Sequence, residues 1–140
     1  RSALNSPGDD NSLFTAGPAH GAPPQNVRLG ADDFLLDHLG GGFELLVFTE
    51  ADAIAPPLLA VVEATRQRGV PLRVTAISAA RPVSGADQTL PDADGRVRRR
   101  YGVQASGGAY LLRPDQHVCA RWITLDAHRL QAALATALPQ

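Results

Sequence analysis

Residues 92–122 read DADGRVRRRYGVQASGGAYLLRPDQHVCARW, and this stretch decides the fold. Asp94-Gly95 is a charged turn pair, and Asp92 to Arg100 predicts a short helix that Gly95 weakens and Gly102 stops. The apolar run Ala109 to Leu112 and the run ending at Arg121-Trp122-Ile123 are too short for helices. Between them, Arg113-Pro114-Asp115-Gln116 puts proline at the second turn position, where its fixed φ is already right, so the two runs form a β-hairpin. Period two places Val118, Ala120 and Trp122 on one face, and Cys119, Arg121 and Ile123 on the other.

Outward from the hairpin, the chain alternates strand and helix. Leu45-Leu46-Val47-Phe48 within Glu44 to Thr49 is an unbroken apolar run, expected of a central strand covered on both faces. Pro56 and Pro57 fit a first helical turn; Leu58, Val61, Val62 and Thr65 follow at helical spacing, Arg66 and Arg68 suit the negative helix end, and Gly69 stops it. Leu72 to Ser78 is a second strand, so the unit is a parallel βαβ pair. Residues Ala79 to Pro91 read as a polar loop. Upstream, Val27-Arg28-Leu29 is extended, and Asp33 is expected to cap a helical turn from Phe34 to Leu39 that ends at Gly40-Gly41-Gly42. Thr124 is expected to cap the last helix, with Asp126 in its first turn and an apolar stripe through Ala127, Leu130, Ala133, Leu134, Ala137 and Leu138. The order βαβ, short helix, β-hairpin, closing helix is an α/β, thioredoxin-like topology around a central mixed sheet. Its two faces would be covered by the two amphipathic helices.

Residues 1–25 are rich in Gly, Pro, Ser and Asn and bury too little to order themselves, so they are expected to form an arm or linker ahead of a single domain at 26–140. A formal net charge of -1 gives no field to recruit nucleic acid or an anionic membrane, and no apolar run reaches the length of a span. The single cysteine, Cys119, rules out an intramolecular disulfide and points to a reducing compartment such as the cytoplasm. Methionine is absent even at position 1, which suggests a domain cut from a longer chain.

No catalytic, cofactor-binding or metal-binding residue is expected in the chain. A thioredoxin-type oxidoreductase needs a Cys-x-x-Cys pair after its first central strand, but Thr49 to Pro56 holds no cysteine, and Ser106-Gly107-Gly108 replaces the proline that faces such a pair. Cys119 sits in a strand pattern and reads as structural. His20, His38, His117 and His128 are scattered without ligand spacing, and Asp32-Asp33 and Asp92/Asp94 suit caps and turns. Gly40-Gly41-Gly42 precedes a strand instead of following one, so it is a turn and not a phosphate loop. Ser84 and Ser106 have no supporting arrangement. Arg96-Val97-Arg98-Arg99-Arg100 reads as a solvated helix face or a protein contact before a nucleic-acid patch. A weaker reading gives Glu50 or Asp52 at the helix start an enzymatic role.

Three segments resemble the C-terminal thioredoxin-like domain of class A FAD-dependent aromatic hydroxylases of the phenol hydroxylase and hydroxyphenylpropionate hydroxylase kind. They are Gly17-Pro18-Ala19-His20-Gly21-Ala22-Pro23-Pro24; Leu36-Asp37-His38-Leu39-Gly40 with Gly42-Phe43 and the following strand; and Tyr101-Gly102-Val103 with Arg113-Pro114-Asp115, Val118 and Arg121. Two positions depart from the pattern: Gln116 stands where the family has Gly, and Ala120 where it has an aromatic, with Trp122 following. The resemblance implies a non-catalytic domain that docks on a catalytic FAD region or supports a homodimer, in a parent hydroxylating an aromatic ring with NAD(P)H and O2. Residues 1–26 would be the strap out of the catalytic body, with Leu4 and Phe14 anchoring it to a partner surface, and Arg113, Asp115 and Arg121 are the candidate partner-facing residues. The alternative is a free-standing, redox-inactive thioredoxin-like module that binds a protein.

Overall fold

The computed structural model of the protein describes residues 10–19, 21–79, 82–103 and 107–138. In chain order the elements are β1 (Arg28–Gly30), β2 (Asp33–Phe34), β3 (Phe43–Phe48), α1 (Pro56–Gln67), β4 (Leu72–Ser78), β5 (Gln88–Pro91), α2 (Arg96–Arg100), β6 (Gly108–Leu112), β7 (Val118–Trp122) and α3 (Ala127–Ala137), with 3-10 turns at Asn11–Leu13 and Leu35–His38. The main sheet runs β5-β4-β3-β6-β7, and β1 and β2 form a separate antiparallel ribbon. β3, β4 and β5 are parallel, with Leu45 opposite Val74 and Ile77 opposite Leu90. β6 and β7 complete the sheet antiparallel, Tyr110 lying opposite both Leu46 and Arg121. This is the thioredoxin-like α/β architecture that the element order predicts.

The two amphipathic helices do not cover opposite faces. Leu58 and Val62 of α1 and Leu130, Ala133 and Leu134 of α3 share one core with Leu45, Val74, Leu111 and Trp122. The second face, formed by Leu46, Phe48, Ile77, Tyr110 and Leu112, is closed by Val27, Leu35, Val97 of α2, Tyr101 and Val103, with Phe14, Leu29 and Leu39 packed against them. Periodicity shows which side of a helix is apolar, but not on which side of the sheet it lands.

Local readings change in five places. The polar loop contains β5: it is only four residues long, with Leu90 as its one large apolar side chain, and Pro91 is tolerated at an edge. Asp33 caps nothing; its carboxylate meets His38 Nε2 at 2.5 Å, and the Leu36 amide donates instead to Asn26 Oδ1 at 3.1 Å. Gly95 stands before α2 at φ +73° rather than inside it, while both Asp92 oxygens accept from the Val97 and Arg98 amides at 2.8 and 3.1 Å. Asp126, and not Thr124, caps α3 by accepting from the Arg129 amide at 2.8 Å. Finally, the register of β6 and β7 shifts after Leu111. That bulge breaks the alternation, so Val118 joins the second core while Cys119, Ala120 and Trp122 join the first.

A candidate docking interface

Arg121 lies opposite Tyr110, on the side of β7 away from Ala120 and Trp122. Arg121 is 5% exposed and faces inward, so it is no partner-facing residue of the free surface. Its Nε donates to Asn11 Oδ1 at 2.8 Å, its Nη1 to the Ala16 carbonyl at 3.0 Å, and its Nη2 to the Asn11 carbonyl at 3.3 Å. Nη1 also reaches the Tyr110 hydroxyl at 3.4 Å, and the guanidinium lies 4.3 Å from the centre of the Phe14 ring. A planar fork with five donors suits such a bed of carbonyl oxygens and ring face better than an ammonium would. Phe14, expected to anchor on a partner, packs edge-on against Tyr110 of its own sheet at 5.6 Å.

Around this fork the resemblance segments meet one another. The Tyr110 hydroxyl donates to the Tyr101 carbonyl at 2.5 Å, and the Tyr101 hydroxyl to the Gln25 carbonyl at 2.6 Å. The two rings stand perpendicular, 5.0 Å apart. Burial pushes both phenols above their usual range, Tyr110 adding to the shift of Tyr101 while Arg121 pulls against that of Tyr110. Gly102, at φ +69°, admits the Ala16 carbonyl, which would lie 2.5 Å from a Cβ at this position. A Cβ on Gly17, at φ +87°, would overlap the Tyr101 carbonyl and Tyr110 hydroxyl oxygens. The two glycines thus let two backbones touch.

The same segment closes the β7 edge. The Asp10 amide donates to the Arg121 carbonyl at 2.9 Å, Gly21 to the Val118 carbonyl at 2.7 Å, and Val118 to the Ala22 carbonyl at 2.9 Å. The Asp10 carboxylate, 8% exposed, takes the Ile123 amide at 2.9 Å and both Arg129 Nη groups, at 2.5 and 3.0 Å. Burial alone would raise its pKa, but the Arg129 hydrogen bond and charge and the Ile123 and Thr124 amides outweigh it and hold the group below the usual carboxylate value. On the opposite side of β3, Glu44 is buried and accepts from Arg73 Nε at 3.0 Å and the Thr75 hydroxyl at 2.5 Å; burial raises its pKa against both partners. Sequence reasoning missed Asp10, Arg129 and Glu44. Asp10 and Arg129 leave no local trace, whereas a carboxylate heading an apolar strand was a usable sign for Glu44.

Of the predicted partner-facing residues, Arg113 and Asp115 remain at the surface as a bidentate pair in the hairpin turn, at 2.5 and 3.2 Å. Slight burial opposes, but Arg113 and His117 hold the Asp115 carboxyl below its usual range. Gln116 adopts φ +63°, which explains the glycine usual there.

The junction after β3 has no nucleophile. The Thr49 hydroxyl accepts from the Ala51 amide at 3.0 Å, and the loop is tied to Ser84 by amide bonds of 2.8 Å on each side. A cleft of about 220 Å³ beside it is lined by Thr49, Leu58, Gly107, Ile123 and Leu125 among others, with no titratable side chain. Glu50 turns toward Arg98 at 3.6 Å, and neither it nor Asp52 lines that cleft. Ser106 and His20 lie outside the described residues. Cys119 is buried, its thiol directed at the Leu111 carbonyl at 3.4 Å. Among the described residues no three His, Cys, Asp or Glu side chains gather as a metal site, and no helix is long and apolar enough to cross a membrane. A groove of about 700 Å³ beneath α1 contains Gly40, Gly41, Arg66, Arg73 and Asp87, but Arg66 pairs with Asp87 and Arg73 with Glu44.

Fold and site together define a thioredoxin-like domain whose redox junction is empty and whose second face is locked by its own N-terminal segment. Comparison with solved structures shows which proteins such a domain resembles. The chain is 28% identical to aklavinone-11 hydroxylase, solved as a ternary complex with FAD and aklavinone, covering 100% of this chain and 26% of that one at a TM-score of 0.61. It is 25% identical to the flavin-dependent monooxygenase PieE, solved with FAD and substrate, over 98% of this chain and 24% of that one, also at 0.61. RebC-10x, in native and K252c-bound form, shares the fold at 24% identity and a TM-score of 0.61, over 97% of this chain and 22% of that one. No family model and no curated protein matches the chain. The chain resembles a domain of FAD-dependent aromatic hydroxylases, as its motifs indicated, and spans about a quarter of the length of the structures it matches.

Proposed function

We propose that this chain is the non-catalytic C-terminal structural and assembly domain of a cytoplasmic FAD-dependent monooxygenase that hydroxylates an aromatic substrate using NAD(P)H and O2. The observation that carries the reading is that the whole chain matches about one quarter of such enzymes. Its own residues do not fit FAD. The turn from β3 into α1, Thr49 to Ala55, contains no glycine to let backbone approach a pyrophosphate, and Gly40-Gly41-Gly42 lies at the wrong end of its strand. Flavin and substrate therefore belong to the region this domain docks on, and the exposed Arg113–Asp115 pair is a contact point for it or for a second copy.

Reading the gene upstream of the codon for Arg1 tests this, together with the absorbance of the purified proteins. A long open frame with a GxGxxG after a strand, a yellow full-length protein and a colourless isolated chain are expected. A start codon near Arg1, or stoichiometric flavin on the isolated chain, would overturn it. The first outcome leaves a free-standing, redox-inactive binding module.

A further inference from the structure

The hydrogen bonds described above for residues 10–22 end on β7 and the start of α3: Asp10 on Arg121, Ile123 and Arg129, Asn11 and Ala16 on Arg121, and Gly21 and Ala22 on Val118. The join that follows is lightly held. Pro23 and Pro24 have no N–H to donate, and among the described residues none of 23–26 takes part in a backbone-to-backbone hydrogen bond. A change of backbone course at Pro23, which is exposed, releases residues 10–22 and leaves the buried Pro24, Gln25 on the Tyr101 hydroxyl, and Val27 in place. The surface so uncovered is the same on every copy of the chain: the β7 edge, the Tyr110 ring, and the Arg121 and Arg129 guanidinium groups. A segment taken from a second copy makes the same bonds, so the two closures differ only at the join and in the cost of bringing two chains together. Two consecutive prolines also hold a semi-rigid, extended course, which narrows the ways the segment can fold back on its own body and lowers the effective concentration of that closure.

We infer that residues 10–22 are an exchangeable arm, received by a second copy of this chain along its β7 edge in a reciprocal twofold pair. Each copy then supplies Asp10, Asn11 and Phe14 to its neighbour's Arg121 and Arg129, a site that is incomplete without them. The inference does not depend on the function proposed above.

Charge complementation between copies tests it. Asp10→Arg and Arg129→Asp, made in separate chains, each place like charges together whether the arm closes on its own body or on an identical copy. In a one-to-one mixture an exchanged pair matches both sites, because the arm of the first variant meets the carboxylate put at position 129 of the second, while the unchanged Asp10 and Arg129 meet each other. At about 50 μM, well below the millimolar effective concentration of a short linker, mixing should slow amide exchange of residues 10–16 at least about tenfold and double the sedimenting mass. A mixture that exchanges as the average of its parts overturns the inference. So does a dimer that forms without slowing residues 10–16, since the copies then meet elsewhere. Wild-type chain gives a second measurement that needs no substitution: at about 1 mM, with half the copies isotope-labelled, filtered NOEs should connect the Phe14 ring of one copy to the Tyr110 ring of another, and their absence overturns the inference as well.

Discussion

The two faces of the sheet are closed by different physics. On the first, α1 and α3 lay aliphatic side chains over Leu45, Val74 and Leu111, with no polar group needed to choose between neighbours. On the second, a segment nearly a hundred residues away in sequence is held by Arg121, Tyr101 and Tyr110, with Gly102 admitting the Ala16 carbonyl and Gly17 the Tyr101 carbonyl. Burial supplies stability without direction, whereas a buried guanidinium supplies direction because every misplacement leaves a donor unsatisfied. The first face makes the domain stable, and the second makes one particular segment its cover.

The contrast breaks most severely at Leu45, which is fully buried. Leu45→Ala should cost about 3–5 kcal/mol, read as a lower urea midpoint for the whole transition. Arg121→Ala should cost about 3 kcal/mol, and its signature should be local: amide exchange of residues 10–19 accelerates before the rest of the chain opens. A uniform loss of protection in that variant would mean the two faces are one cooperative unit. Asp10 sharpens the comparison through pH. Its folded pKa lies below the ordinary value of 3.8, so its contribution is fully present above that value and disappears as pH falls through the folded pKa. Acid should therefore weaken the anchoring of residues 10–16 in the wild type, and Asp10→Asn should weaken it already at neutral pH and flatten the response. Glu44 runs oppositely: its raised pKa makes the folded state bind the proton more tightly, so its contribution declines as pH rises from 4.5 through the folded pKa. The smallest effect belongs to the hairpin tip. Gln116→Gly should relieve the positive φ and stabilise by about 0.5–1 kcal/mol, seen as a rise of a few degrees in Tm.

The first face was legible in the sequence because its signals are periodic: the apolar run of β3, the spacing of Leu58 and Val62, and the stripe from Leu130 to Leu138. The second was not, for three separate reasons. Periodicity fixes the apolar side of α1 and α3 without saying that both settle on one side of the sheet. Alternation sets Arg121 on the side opposite Trp122 but does not say that this side of the strand is covered as well. Asp10 and Arg129 are partners that no window of sequence contains together. Gly17, Gly102 and Arg121 were nevertheless visible as parts of the resemblance, and the structure supplies the reason they occur together. Nothing about β5 was readable, since one leucine in four residues makes no pattern.

The order in which the chain leaves the ribosome meets this second face at an awkward angle. Asp10 emerges 119 residues ahead of Arg129, so the segment that covers Tyr101, Tyr110 and the β7 edge must wait for that whole stretch before it has anywhere to sit. Until then the nascent domain presents aromatic rings and an unpaired edge, the surface that chaperones hold and that aggregates recruit. A chain interrupted before Arg121 should build the β3–β4 pair yet stay permanently uncovered, which makes late truncations of this domain targets for degradation rather than shorter working versions of it.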